Sequence, residues 1–374
     1  MTAGGLGRAL LLLALLAVAS AAGGRVAAAP GEGMDDSPGL DAFPPTPNGH
    51  APGASGAAGA TASALGRGIN FGNMLEAPRE GDWGLAVRDE FIRATAEAGF
   101  ATVRLPVRWS NHASAAAAAA IEPEFFARVE SVIDDLLARG FYVVLNMHHY
   151  HQLDGDRLNP GEFGVDPAVL DVRFLKLWQQ IAERFREKND HLLFELYNEP
   201  HGRLTPTKWN DLAARALTAV RKSNPTRVVV IGPTAWNVAG ALPALRLPND
   251  ANLIVTVHNY APFTFTHQGA SWISEALPTG VTCCDARQRA AAIAPLTAAK
   301  AWSESARYPV FLGEFGAYNK ADMPSRVNFT RLVRDQAEAR GISWCYWELA
   351  SSFGAYDPLV HAWRAPLKNA LVGR

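Results

Sequence analysis

Eight short apolar strand signals alternate with helical segments between Gly66 and the C-terminus, and several of the strands are near-continuous apolar runs. Such runs mark parallel strands covered on both faces, and eight strand–helix repeats predict an α/β fold, a single-domain (β/α)8 TIM barrel. The length, 374 residues, suits one large domain of this kind, and a hydrophobic content of 48% excludes a disordered chain.

Residues 67–72 (Arg-Gly-Ile-Asn-Phe-Gly) give the first strand, and a helix from about Leu85 to Ala98 follows, stopped at Gly99. Residues 102–107 form the second strand, and Pro123 opens a helix that ends at Gly140. The third strand is 142–147, with a helix from about Pro167 to Lys188; the fourth is 192–197, with a helix from about Pro206 to Lys222. The fifth, 227–231, has a short and weak return helix near Val238 to Leu245. The sixth, 253–257, leads into a long irregular stretch from Ala261 to about Asp285. The seventh, 309–312, precedes a helix near Pro324 to Arg340, and the eighth, 342–346, precedes a last helix. The alanine run 115–120 reads as a loop or a helix end.

Ahead of the barrel, residues 1–29 read as a signal peptide: Arg8 supplies a positive start, Ala9 to Ala22 an apolar stretch, and small residues follow. The apolar stretch is short of the ~20 residues that a spanning helix needs, so export is expected over anchoring, and with it a secreted protein, extracellular or periplasmic. Residues 30–64, rich in Gly, Pro, Ala and Ser, predict a flexible linker, which leaves 65–374 as the barrel domain.

A formal net charge of −1 gives no footprint for nucleic acid or an anionic membrane and fits a neutral substrate. Three cysteines are too few for a disulfide scaffold. Cys345 lies in an apolar run and is expected to be buried. Cys283 and Cys284 could close a vicinal disulfide, although the small ring strains the bond, so free thiols are the expectation.

Polar and aromatic residues gather where strands end. Asn73 and Glu76 follow the first strand, Arg104 is in the second, and His148 and His149 follow the third. Asn198 and Glu199 follow the fourth, Trp236 the fifth, His258 and Tyr260 the sixth, Glu314 the seventh and Trp347 the eighth. In a barrel of this type those ends build the active face. Glu199 and Glu314, after strands four and seven, are expected to face each other across the barrel mouth. Two opposed carboxylates, one protonated and one ionised, suit cleavage of a glycosidic bond. The alternative for either Glu is a plain ion pair with a barrel Arg or Lys. Arg104 is the natural partner that keeps one carboxylate ionised, and Asn198 can bond a sugar hydroxyl.

The run His148-His149-Tyr150-His151 invites a metal reading, but adjacent residues on an extended segment point to opposite sides and no HExxH array is present. No metal is expected; hydrogen bonding to substrate or to a catalytic carboxylate is. Of ten Trp, Trp236, Trp272 and Trp347 fall in strand-end loops, where flat rings stack on pyranose faces.

The ordered set 68–78 (Gly-Ile-Asn-Phe-Gly-Asn-Met-Leu-Glu-Ala-Pro), 103–109, His148-His149-Tyr150, Tyr197-Asn198-Glu199-Pro200-His201, 257–260, 263–269, Gly313-Glu314-Phe315-Gly316 and Tyr346-Trp347-Glu348 resembles family five of the glycoside hydrolases, the cellulase family. The opening motif, followed by Glu80-Gly81-Asp82-Trp83-Gly84, is similar to the bacterial endoglucanase branch. The resemblance implies a retaining endo-β-1,4-glucanase with Glu199 as acid/base and Glu314 as nucleophile. Arg104, His148, Asn198, His258, Tyr260 and Trp347 would surround the sugar at the cleavage point, and Asn73, Glu76, His149, Trp236 and Trp272 would serve further subsites. No metal or cofactor is implied. The expected partner is a β-linked polysaccharide or oligosaccharide, with no protein partner and a monomeric enzyme.

Two departures bear on substrate: residues 274–287, with the cysteine pair, match no family segment, and Asn259 stands where an aromatic or aliphatic residue is expected. A β-1,4-mannanase, or a dual glucanase/mannanase, is the alternative enzyme. A secreted carbohydrate-binding protein without catalysis, or a structural surface protein, are alternatives of another class. No separate carbohydrate-binding module is visible, so processive attack on crystalline cellulose is not expected.

Overall fold

A computed structural model describes residues 39–45 and 53–373. Eight parallel strands close a barrel in sequence order: β1 (Arg67–Asn70), β2 (Thr102–Leu105), β3 (Tyr142–Asn146), β4 (Leu192–Glu195), β5 (Val229–Ile231), β6 (Leu253–His258), β7 (Val310–Glu314) and β8 (Ser343–Tyr346). β1 closes the ring by pairing with both β2 and β8, Asn70 opposite Arg104 and Gly68 opposite Cys345. Every residue of β2, β4, β6, β7 and β8 is buried, which explains their near-continuous apolar runs: one set of side chains fills the barrel and the other packs under helices.

The helices are α1 (Gly56–Ala64), α2 (Asp89–Ala98), α3 (Pro123–Ala138), α4 (His151–Asp154), α5 (Leu170–Arg184), α6 (Pro206–Arg221), α7 (Phe263–Thr266), α8 (Ala286–Ala306), α9 (Met323–Glu338) and α10 (Ala365–Val372). Their ends follow local chemistry. Thr205 caps α6 ahead of Pro206, Asp322 caps α9, and Asp285 with Gln288 forms a reciprocal capping box on α8. α2 starts at Asp89, later than the sequence suggests, because Arg88 stays extended as its N-cap. The weak helix after β5 is a 3-10 turn, Ala239–Ala244, interrupted by Pro243. A two-stranded hairpin, β9 (Tyr356–Asp357) with β10 (Ala362–Trp363), lies between β8 and α10.

The expected linker 30–64 is corrected in its described part. Residues 56–64 are the helix α1, N-capped by Ser55 Oγ, which accepts from Ala58 N at 3.1 Å. Ala58, Ala62 and Leu65 pack on the inner barrel layer of Val144, Leu193, Val230, Ile254, Phe311 and Cys345 and close the barrel floor. Ser55 N donates to Ala251 O and Ala54 N to Arg307 O, just below β6 and β7. Alanine is small enough to let this helix seat closely, and that same composition made the segment look like a tether. Farther back, Phe43 is buried, with the ammonium groups of Lys176 and Lys222 at 5.3 and 4.7 Å from its ring centre. The signal-peptide reading, residues 1–29, lies outside the described residues. Among the described residues no helix is long and apolar enough to cross a membrane.

Cys345 is buried and free, as expected. The expectation of free thiols at 283 and 284 is corrected: the two form a vicinal disulfide. Cys283 is buried on α9, its N–H donating to Ser325 Oγ at 2.9 Å.

Candidate active site

The C-terminal ends of the strands open into a cleft of about 1390 Å³. Beneath it lies a layer of buried polar groups. The guanidinium of Arg104, pointing inward from β2, donates Nε and Nη2 to the two carboxylate oxygens of Glu195 on β4, at 2.7 and 2.6 Å. Its Nη1 donates to Glu314 Oε1 at 2.6 Å and to Asn70 Oδ1 at 2.9 Å, and Nη2 also reaches Asn198 Oδ1 at 2.8 Å. Burial alone would lower the basicity of this guanidinium, but Glu195 and Glu314 raise it and hold it charged.

Glu314 ends β7. Its second oxygen accepts from the Tyr260 hydroxyl at 2.8 Å. The ladder between β6 and β7 shifts register after Val257, so that His258 pairs with Glu314. The His258 ring faces both carboxylates. The glycines around Glu314 have a spatial reason: a Cβ on Gly313 would stand 2.6 Å from Thr256 Oγ1, and one on Gly316 would collide with the Trp347 carbonyl.

Glu199 leaves β4 with φ +53°, a left-handed conformation that costs a non-glycine residue energy and directs its carboxylate to the cleft. Glu199 Oε1 lies 2.7 Å from His258 Nδ1, which is 3.6 Å from Glu314 Oε2. One oxygen of Glu199, one of Glu314 and a ring nitrogen of His258 all lie within 4.8 Å of one another. The environments of the two carboxylates differ. Glu314 touches a guanidinium and a phenol; no cation touches Glu199 directly. Burial pushes the Glu199 carboxyl up to about 7, with Arg104 and His201 pulling against it. Burial also raises Glu314, opposed by His258, Arg104 and the Tyr260 hydrogen bond. Burial lowers His258 to about 4, so its ring is neutral near pH 7.

The cleft gathers most of the residues singled out from the sequence. Asn73, His148, His149, Asn198, Glu199, Trp236, His258, Tyr260, Trp272, Glu314 and Trp347 all line it. His148 and Trp347 stack nearly parallel, 5.3 Å apart. Trp236 and Trp272 are more than half exposed; Trp236 lies flat on His201 at 4.6 Å, and Trp272 meets Tyr318 edge-on. One placement is corrected. Glu76 does not face the cleft: it is fully buried, its carboxylate accepting from the backbone N–H groups of Asn73 and Met74, and so it shapes the loop that presents Asn73. Arg104, also fully buried, pairs with Glu314 as the sequence predicts and braces Asn198 from below.

Sequence reasoning missed Glu195, Asn70 and Asn237, all buried in the polar layer. A charged residue in the apolar run of β4 was the available signal for Glu195, since a buried carboxylate needs a cation and Arg104 was at hand. Trp83 and His201, also in the cleft, lay inside motifs already quoted but carried no separate signal. Asn259, the departure noted above, is buried and donates to Ala292 O at 2.8 Å, tying the end of β6 to α8.

A closed (β/α)8 barrel with two carboxylates opposed over a fixed guanidinium has the layout of a barrel glycoside hydrolase. Comparison with known proteins agrees. Residues 64–352 match the model of the cellulase family, glycosyl hydrolase family 5, and the chain belongs to that family. It is 37% identical over 295 residues to endoglucanase H of Acetivibrio thermocellus, covering 78% of this chain and 30% of that protein. It is 30% identical over 311 residues to the cellulase/esterase CelE of the same organism, covering 78% of this chain and 36% of that one. The chain thus spans about a third of the length of these two relatives. Among solved structures, a hyperthermophilic endo-β-1,4-glucanase in complex with substrate is 40% identical, with a TM-score of 0.80 over 85% of this chain and 99% of that one. Thermotoga maritima Cel5A in complex with mannotriose is 42% identical, with a TM-score of 0.79 over 84% of this chain and 99% of that one.

Proposed function

We propose that this glycoside hydrolase is a retaining endo-β-1,4-glucanase that works by double displacement. The observation that carries the reading is the pair Glu199 and Glu314, with carboxylate oxygens within 4.8 Å of each other. Retaining enzymes hold their carboxyl groups ~5–5.5 Å apart, whereas inverting ones leave ~6.5–9.5 Å for a water. Glu199, without a touching cation and raised to about 7, is the acid that protonates the glycosidic oxygen. Glu314, held by Arg104 and Tyr260, attacks the anomeric carbon and forms a covalent glycosyl-enzyme. The leaving sugar departs, Glu199 takes a proton from water, and that water releases the second sugar with its configuration retained. Trp347 and Trp236 offer flat faces for pyranose rings along the cleft.

The test is reducing-sugar release from soluble β-1,4-glucan, with the anomer first formed read by NMR. The β-anomer is expected; an α-anomer would rule out retention. A second reading, activity on β-1,4-mannan as well, is favoured by the likeness to the Cel5A structure solved with mannotriose. Parallel rates on glucan and glucomannan separate the two. The same proposal includes export, which rests on the apolar leader of residues 9–22 and is checked by N-terminal sequencing of secreted protein. It also includes action as a monomer, checked by light scattering.

A further inference from the structure

Three consecutive residues after β5, Ala235, Trp236 and Asn237, adopt left-handed φ values of +57°, +58° and +56°. The turn sends Trp236 out into the cleft and Asn237 inward, where it is fully buried. The Asn237 backbone carbonyl accepts from His258 N at 2.9 Å. Its side-chain amide faces three groups. The Pro233 carbonyl can only accept, so the amide nitrogen points there, at 2.8 Å. The amide oxygen then accepts from the backbone N–H of Glu199 at 3.3 Å. The same end of the amide lies 3.4 Å from His258 Nε2.

An oxygen facing a ring nitrogen favours the proton on that nitrogen. A neutral imidazole with Nε2 protonated has a bare Nδ1, and Nδ1 lies 2.7 Å from Glu199 Oε1. A bare nitrogen and an ionised carboxylate repel at that distance; a bare nitrogen and a carboxylic acid form a hydrogen bond. We infer that Asn237 is a positioning residue for catalysis: by holding His258 as the Nε2–H tautomer, it makes Nδ1 an acceptor and keeps the proton on Glu199 until the leaving oxygen takes it. The inference rests on the assignment of Glu199 as the acid/base. The proton moves from Glu199 Oε1 to the glycosidic oxygen as that C–O bond breaks. The carboxylate left beside Nδ1 then recovers a proton from the incoming water, so the ring assists both half-reactions without changing its own protonation.

Other charged groups face this pair. Arg104, His201 and Glu195 act on Glu199; Glu314, Arg104 and Glu195 act on His258; and Tyr260 and Glu314 in turn feel the charge of Glu199. Glu314 Oε2, 3.6 Å from Nδ1, draws the proton toward that nitrogen, and the fixed amide 3.4 Å from Nε2 is the group that opposes it.

The test uses the whole enzyme and two readouts. In wild type labelled with 15N-histidine, the signal missing from His258→Gln is expected to show a protonated Nε2 and a bare Nδ1 at pH 6; a protonated Nδ1 overturns the inference, whether or not any Asn237 variant folds. In Asn237→Ala, His258 is free to place its proton on Nδ1 and donate to the Glu199 carboxylate. A hydrogen bond donated to the carboxylate favours its charged form, so the basic limb of kcat/KM on soluble glucan should move down by about one pH unit, a roughly fivefold loss at pH 7. The acidic limb should stay, and a dinitrophenyl cellobioside, which needs no protonation of its leaving group, should be cleaved nearly as fast as by wild type. A basic limb that does not move, or equal losses on both substrates, overturns the inference. A Glu199→Gln enzyme that retains the wild-type basic limb places the fault in the acid assignment itself and removes the inference with it.

Discussion

Arg104 and Glu314 meet at 2.6 Å, yet most of the guanidinium is committed elsewhere: Glu195 takes two of its N–H groups, and Asn70 and Asn198 take others. Arg104 is therefore a fixed hub between two carboxylates on opposite walls of the barrel, able to orient one because the other locks it.

Removing the hub should damage both chemistry and stability. Arg104→Met leaves Glu195 buried without its cation, which costs about 3–5 kcal/mol. It also frees Glu314 and should lower kcat by roughly 10²–10³-fold, the usual size of losing a preorganised charge at a reacting group. Arg104→Lys cannot reproduce the fork and should recover little activity. Denaturant unfolding and kcat on soluble glucan check the two effects separately.

Glu199→Gln and Glu314→Gln should each reduce hydrolysis of soluble glucan by several orders of magnitude while the melting temperature stays near wild type. Azide should restore turnover of an activated aryl glycoside by the first variant, since a small anion can replace water once the general base is lost. Absence of rescue would argue against Glu199 as acid/base.

Activity should fall as pH rises through about 7, because the Glu199 carboxyl, raised to about 7 by burial, must be protonated to act. Two buried carboxyls push stability the same way. Burial raises Glu76 and Glu348 to about 7 from an ordinary 4.5, so the folded state binds more protons than the unfolded chain across that interval. Their contribution is full below the unfolded value and is lost as pH rises through the folded one. Glu76→Gln and Glu348→Gln should thus each lose less melting temperature than wild type between pH 5 and pH 8; an unchanged difference would contradict the buried placement of these two groups.

The floor helix α1 should be worth measurable stability without touching catalysis. Ser55→Ala removes its N-cap and should cost about 1 kcal/mol. Deleting residues 53–64 uncovers the apolar layer below the polar one and should cost more, with kcat per folded molecule retained.

Trp236→Ala should raise KM several-fold on long substrates with kcat nearly unchanged, since an exposed ring stacked on His201 binds sugar without meeting the reacting bond.

The barrel was legible because its signals are local: β4 and β7 are short apolar runs that each end in a glutamate, and Gly99 and Pro123 mark helix ends. The strand-end residues were legible because the barrel puts strand ends on one face. Glu76 misled because position along the chain says nothing about which way a loop carboxylate turns; here two backbone N–H groups claim it. α1 misled because small residues serve a flexible segment and a close-packed helix equally well. Asn237 was hidden because its role depends on three successive left-handed residues, a conformation that Ala-Trp-Asn does not advertise.

The seating of α1 has a practical side. The chain enters the barrel from the floor, through Ser55 bonded below β6, while the cleft opens at the other pole. A protein held by the floor side of its barrel would stand with its mouth turned outward, free to engage a polymer far larger than itself.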